Sequence, residues 1–379
     1  MKYAVCVLAI AVLTAPALAG AWTEFAVALS PYNQERPDVD GHKVVWQQRV
    51  ENDWDIYLID LAAAEPEAIP LVAYTENQQN PAISGDRIVW QEWNASAGDW
   101  DVYMMDISDP EQFVETLVTD YYDDQTSPAI YGDIVVWEDH TYADTDIYAG
   151  DMTDWDPAAD AIVVAAYVDT NQKAPAIYGH TVVWQDDHFG DWDIMSVNIL
   201  IPTRPVENYV SMSPYNQENP SIWGSIVAWQ EDIDDDWQIW AADISNPAAP
   251  VEFPVTEAPS HQINPDVGDN VIVWQDFRNG RDWDIYGYNL TTKREFRITD
   301  SPADQTNPAI SGNLVVWQDN RSGVWNIYAA ELTGPEVARC VMPPAGDVNG
   351  DCRVDIVDLA QIAASWLDCG LDIPEACGL

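Results

Sequence analysis

The stretch Gln78-Gln79-Asn80-Pro81-Ala82-Ile83-Ser84-Gly85-Asp86-Arg87-Ile88-Val89-Trp90-Gln91, followed by Trp100-Asp101-Val102-Tyr103, recurs along the chain. Its prolines stand at Pro37, Pro81, Pro128, Pro175, Pro220, Pro265 and Pro308. Nine residues after each comes a tryptophan: Trp46, Trp90, Trp137, Trp184, Trp229, Trp274 and Trp317, successively 44, 47, 47, 45, 45 and 43 residues apart. A second aromatic anchor follows at Trp54, Trp100, Trp192, Trp237, Trp283 and Trp325, with Thr145 in its place in the third copy. Self-similarity at such a period is the mark of a repeat architecture whose units bury their apolar faces against one another.

Each unit reads as four short strands. Strand A is the Pro-Ala-Ile segment, as at Pro81 to Gly85, and ends at a glycine turn. Strand B is a continuous apolar run such as Ile88-Val89-Trp90, expected where both sheet faces are covered. Strand C is Trp100 to Met104 and strand D a β-branched run such as Phe113 to Val118. Helical periodicity is absent from this region. Four strands at a period near 45 predict an all-β, seven-bladed β-propeller. After the seventh unit, strand C (Trp325 to Leu332) meets Thr333-Gly334-Pro335 with no strand D, whereas Trp22 to Leu29 sits before the first unit where a strand D belongs. The N-terminal strand is therefore expected to complete the last blade and close the ring, leaving no open sheet edge.

Charge narrows the partners. The 379 residues carry 15 Lys plus Arg against 64 Asp plus Glu, a formal charge of −49. A surface so negative repels phosphate and argues against nucleic acid or an anionic membrane surface. With 47% hydrophobic residues the chain still has ample material for a core. Lys2, the apolar Ala4 to Leu13 and Ala17-Leu18-Ala19 form a signal-peptide pattern, so residues 1–19 are expected to be removed. Export follows, to the extracellular space, the cell surface or the periplasm, as a monomer without membrane insertion. The organisation is then a propeller over 20–333, a linker over 334–346 and a small tail over 347–379.

The repeat unit resembles those of TolB-type, WD40-like propellers, a family that includes protein-binding modules and some enzymes. In a meander blade the D–A and B–C loops share one face of the disc. The glutamine three residues before each proline, Gln34, Gln78, Gln125, Gln172, Gln217, Gln262 and Gln305, should ring the channel on that face. A residue present in every blade is expected to serve the scaffold, by capping loop amides and joining blades; the functional alternative is an acidic rim that attracts divalent or polycationic ligands. Residues that break the repeat are few. His140 and His188 lie in B–C loops beside aspartates, a pairing able to hold a transition metal, and His261 lies in a D–A loop. The motifs HExxH and GxSxG and a phosphate-cradling glycine loop are absent.

The tail carries the sharpest motif. Asp347, Asn349, Asp351, Asp355 and Asp358 place oxygen side chains at positions 1, 3, 5, 9 and 12 of a loop, and Arg353 at position 7 would offer its carbonyl. Calcium takes six to eight oxygen ligands, and an EF-hand loop gathers them in this way. Leu359, Ile362, Ala363 and Trp366 then share one helical face. Residues 346–368 resemble a type I dockerin repeat, which implies calcium, an α-helical EF-hand-like tail, and docking to a cohesin-like extracellular protein in polysaccharide breakdown. Two departures stand out: position 6 is Cys352 instead of glycine, and dockerins carry two such segments where one is found here. Four cysteines, Cys340, Cys352, Cys369 and Cys377, suit two disulfides in an oxidising compartment. Cys352–Cys369 with Cys340–Cys377 is one of three possible pairings.

The function expected is a secreted, non-catalytic propeller acting as a binding or assembly module in polysaccharide degradation, tethered through its calcium tail. A propeller glycoside hydrolase or polysaccharide lyase is one alternative. A TolB-like protein-interaction or surface structural protein is another.

Overall fold

A computed structural model describes residues 22–333, apart from 143, 157–159, 201–206 and 257. The signal peptide, the linker, the calcium loop and the four tail cysteines lie outside the described residues. Seven four-stranded antiparallel sheets follow one another, and the only helical element among the described residues is the short turn Met152–Asp154. No described helix is long and apolar enough to cross a membrane.

The first blade shows the plan: strand A is Gln34–Asp40, B is Lys43–Val50, C is Asp53–Asp60 and D is Ile69–Val72. The seventh blade has A at Gln305–Ser311, B at Leu314–Asp319 and C at Asn326–Glu331. Its outermost strand is Glu24–Ala28, paired with strand C through Glu24 opposite Ala330 and Ala26 opposite Tyr328. The ring is closed by the beginning of the chain, as the repeat count requires.

Strand A starts at the repeated glutamine, and its pairing with strand B slips across the residue before the proline and the proline itself in all seven blades. Arg36, Asn80, Ser127, Ala174, Asn219, Asn264 and Asn307 all have φ between 49° and 55°. A proline offers no N–H to the ladder, so the strand bulges there. A left-handed non-glycine residue costs on the order of 1–3 kcal/mol, and the compensating bond comes from the neighbouring blade. Each of these seven N–H groups donates to the side chain after the B-strand tryptophan of the preceding blade. Asn80 N reaches Gln47 Oε1 at 3.0 Å, Asn264 N reaches Gln230 Oε1 at 2.9 Å, and Arg36 N reaches Gln318 Oε1 at 3.0 Å. In blade 3 a glutamate does the same work: Glu138 Oε1 accepts from Ala174 N at 2.7 Å.

The core lies between blades, not within them. Seven apolar clusters each join two consecutive sheets, the one holding Trp46 joining blade 7 to blade 1. All seven B-strand tryptophans are fully buried. Truncating such a side chain to alanine costs about 3–5 kcal/mol, which explains why this position admits no exception in seven copies.

Candidate functional site

Six of the repeated glutamines that open strand A cap their own D–A loops. Gln78 Nε2 donates to the Glu76 carbonyl at 2.7 Å, Gln125 Nε2 to that of Asp123 at 2.9 Å, and Gln217 Nε2 to that of Tyr215 at 3.0 Å. Gln262 and Gln305 bond the carbonyls of Ser260 and Ala303, and Gln172 bonds Thr170 Oγ1. Gln34 instead donates to Gln48 Oε1 at 2.8 Å and accepts from Ile327 N at 3.3 Å, which ties blade 1 to blade 7. All seven are buried. They hold the loops whose tips form the face.

The residue just before the glutamine forms a second belt at six of the seven positions, Asn171 pairing with Asp187 instead. Asn77 Oδ1 accepts from Trp54 N at 3.1 Å, Asn216 Oδ1 from Trp192 N at 3.2 Å, and Asp304 Oδ1 from Trp283 N at 3.1 Å. His261 occupies this position between blades 5 and 6, where its Nδ1 accepts from Trp237 N at 3.4 Å. It is a scaffold substitution of Asn or Asp. His140 has both ring nitrogens engaged, Nε2 with Thr126 Oγ1 at 3.2 Å and Nδ1 with Thr145 Oγ1 at 3.3 Å. Among the described residues, no group of three or more His, Cys, Asp or Glu side chains is placed to hold a metal ion.

The axis of the ring is a polar channel of about 520 Å³. The left-handed residues of strand A line it, and Asn264 Nδ2 donates to Asn307 Oδ1 at 3.0 Å across the blade boundary. Blades 1 and 6 carry an aspartate after the proline where the others have Ala or Ser. Asp38 accepts from Ile83 N and Asp266 from Ile310 N, both at 2.8 Å. Desolvation raises both carboxyls, Asp38 to about 7, and Asp266 adds repulsion to Asp38.

His188 marks the place where the rim departs most from the repeat. Blade 4 has A at Gln172–Tyr178, B at Thr181–Asp186, C at Asp193–Asn198 and D at Asn208–Ser211. The His188 ring lies 5.0 Å from that of Tyr167 and 4.7 Å from that of Phe189, and Phe189 lies 6.0 Å from Tyr209. These rings, with Asp186, Asp193 and Met195, enclose a half-open cavity of about 90 Å³. Burial pushes Asp193 up to about 6, with Asp191 and Asp186 adding repulsion. Asp186 and Glu207 are raised mainly by burial too. Carboxylates of this kind ionise more readily when a cation comes close.

Elsewhere the same face is studded with exposed rings on its loops. Tyr32, Tyr74 and Tyr122 project from D–A loops, and Tyr142 and Phe189 from B–C loops. Tyr122 is 88% exposed. The sequence reading found His140 and His188 but not Tyr167, Glu207 or Tyr209. Loops before and after strand D vary in length, so those three have no fixed offset from the repeat's proline or tryptophan.

No protein-family model matches the chain, and no curated protein is similar to it in sequence. Among solved structures it is similar to the β-propeller domain of the Trilobed protease from Pyrococcus furiosus, at 10% identity over 81% of this chain and 95% of that one, with a TM-score of 0.59. It is similar to a puromycin hydrolase at 10% identity over 77% of this chain and 51% of that one, with a TM-score of 0.60. The TolB of Acinetobacter baumannii overlaps 80% of this chain and 79% of its own at 13% identity, with a TM-score of 0.43. The first two likenesses, at 10% identity, show the fold alone. The protease propeller is described as an open velcro; here the Glu24–Ala28 strand completes the seventh sheet.

Proposed function

We propose that the chain is a non-catalytic binding or assembly module that engages a macromolecular partner through the D–A and B–C loop face. One observation carries this reading. The polar residues repeated in every blade are buried and bond within and between blades, whereas the unrepeated residues on the face include exposed rings set among carboxylates. Aromatic side chains offer large contact area at low entropic cost and anchor interfaces.

Export, the polysaccharide setting and calcium tethering belong to the same proposal, and their support is the signal-peptide pattern and the dockerin-like segment at Asp347 to Asp358. The test is retention of partners from an extracellular extract, with glycan-array binding in calcium alongside. The parent chain should retain a partner or a glycan, and a Tyr122→Ser/Tyr142→Ser/Phe189→Ser variant should lose it. Equal retention by both would remove this face from the reading.

A further inference from the structure

Equivalent positions in several blades hold carboxylates that are answered by different partners. In blade 6, with B at Val271–Asp276, C at Asp284–Asn289 and D at Arg294–Arg297, the carboxylates are Asp276, Asp284 and Glu295. Two arginines answer them. Arg278 bonds Asp276 through Nε and Nη2 at 2.9 and 2.6 Å and Glu295 through Nη1 at 2.7 Å, with its guanidinium carbon 4.2 Å from the Tyr286 ring centre. Arg297 Nη2 bonds both oxygens of Asp284 at 2.9 Å. Blade 7 repeats the first of these: Arg321 bonds Asp319 at 2.5 Å and Glu24 at 2.6 Å and lies 4.4 Å from Tyr328.

Register places blade 4 on the same grid. Trp184 faces Met195 as Trp274 faces Tyr286, and Tyr209 faces Met195 as Arg297 faces Tyr286. Asp186, Asp193 and Glu207 therefore correspond to Asp276, Asp284 and Glu295. His188 and Tyr209 stand where Arg278 and Arg297 stand. The three acids are kept while both guanidinium groups are gone. Asp186 still makes the bonds that Asp276 makes to its own blade, accepting from Trp184 Nε1 at 3.3 Å and from His188 N at 2.8 Å, as Asp276 accepts from Trp274 Nε1 and Arg278 N. What it lacks is the partner for its outward lone pairs.

Blade 2 carries a similar set in Glu92, Asp101 and Glu115 but answers it internally. Asn94 Nδ2 donates to Asp101 at 3.0 Å and the Tyr74 hydroxyl donates to Glu115 at 2.7 Å. In blade 4 the Tyr167 hydroxyl donates to Glu207, and the cavity of about 90 Å³ remains between the rings. The cavity is small and flanked by rings, which suits a planar guanidinium better than a sugar ring.

We propose that this blade 4 slot binds the guanidinium of an arginine side chain presented by the partner protein, between the carboxylates of Asp186 and Asp193 and the rings of Tyr167 and Tyr209, with Glu207, bonded to the Tyr167 hydroxyl, adding its charge from beside the slot. Buried carboxylates without a cation are costly, a guanidinium forks to two carboxylates at once, and it is attracted to ring faces. Lysine, a compact and strongly hydrated charge, matches such a fork less well. The inference rests on the binding-module reading and names the chemistry that one part of its face recognises.

Calorimetric titration of the full chain with acetyl-Gly-Arg-Gly-amide tests it, with citrulline and lysine versions as controls. The arginine peptide should bind saturably, and each control at least tenfold more weakly. Glu207→Gln should weaken the arginine peptide by a similar factor. His188→Arg, patterned on Arg278, should fill the slot from within, raise the melting temperature and abolish peptide binding. Citrulline or lysine binding as tight as arginine, or full peptide binding by His188→Arg, would overturn the assignment. The extract experiment separates the two readings. If the arginine peptide does not bind while the parent and His188→Arg both retain an extracellular partner, the slot inference falls and the binding-module reading stands. If the peptide binds as described and no partner or glycan is retained, the reverse holds.

Discussion

At the scale of single residues, burial against charge decides what can be tested. Glu92 sits behind Trp90, accepts from its Nε1 at 3.3 Å, and is raised to about 7 by desolvation first and then by Glu115, Glu76 and Asp101. A carboxyl whose folded value lies above its unfolded one stabilises the fold in its protonated form. That contribution is complete below about 4.5 and is lost as pH rises through about 7. Glu92→Gln keeps an oxygen for Trp90 but cannot ionise. Its melting temperature should match the parent at pH 4.5 and exceed it by a few degrees at pH 8; a deficit at pH 8 would show that Glu92 is stabilised as an anion. This raised value was hidden in the sequence, because Trp90-x-Glu92 reads like any hairpin and only the enclosing blade supplies the desolvation. The seven tryptophans, by contrast, declare their burial by recurrence alone.

At the scale of elements, the strand Glu24–Ala28 is the closure. Removing residues 22–29 strips strand C of blade 7 of its outer partner and leaves an unpaired edge, which invites association with other chains. The truncated chain should melt several degrees lower and form oligomers in size-exclusion chromatography; an unchanged monomer with unchanged melting would mean that the strand is dispensable. This pairing was legible before any coordinates, since the seventh unit lacks a strand D and Trp22 to Leu29 supplies one. The bulge in strand A was not legible. Its cause is the glutamine or glutamate after the preceding blade's tryptophan, an acceptor 32 to 36 residues away in six of the seven cases, as with Gln275 and Asn307 or Glu138 and Ala174. Nor was the blade 4 slot, because it is assembled from at least five separate loops and strands and shows only when register aligns His188 with Arg278.

At the scale of the whole molecule, the formal charge of −49 acts against the compact state. Asp55, Asp101, Asp146 and Asp193 are each raised to about 6, burial being the first cause in every case. Their protonated forms favour the fold, so stability should fall as pH climbs from about 4 through 6. Salt screens the exposed repulsion. Sodium chloride should therefore raise the melting temperature at pH 8 and do so less at pH 5; a flat response at pH 8 would mean that the carboxylates are already neutralised. In the proposed division of labour, repeated residues build the ring and unrepeated ones meet the partner. Thermal melting of Gln230→Ala beside Phe189→Ala tests it most directly. Gln230→Ala orphans the Asn264 N–H, at a cost of about 1–3 kcal/mol, and should melt a few degrees below the parent, while Phe189→Ala should melt with it. Equal losses, or a larger loss for Phe189→Ala, would contradict the account.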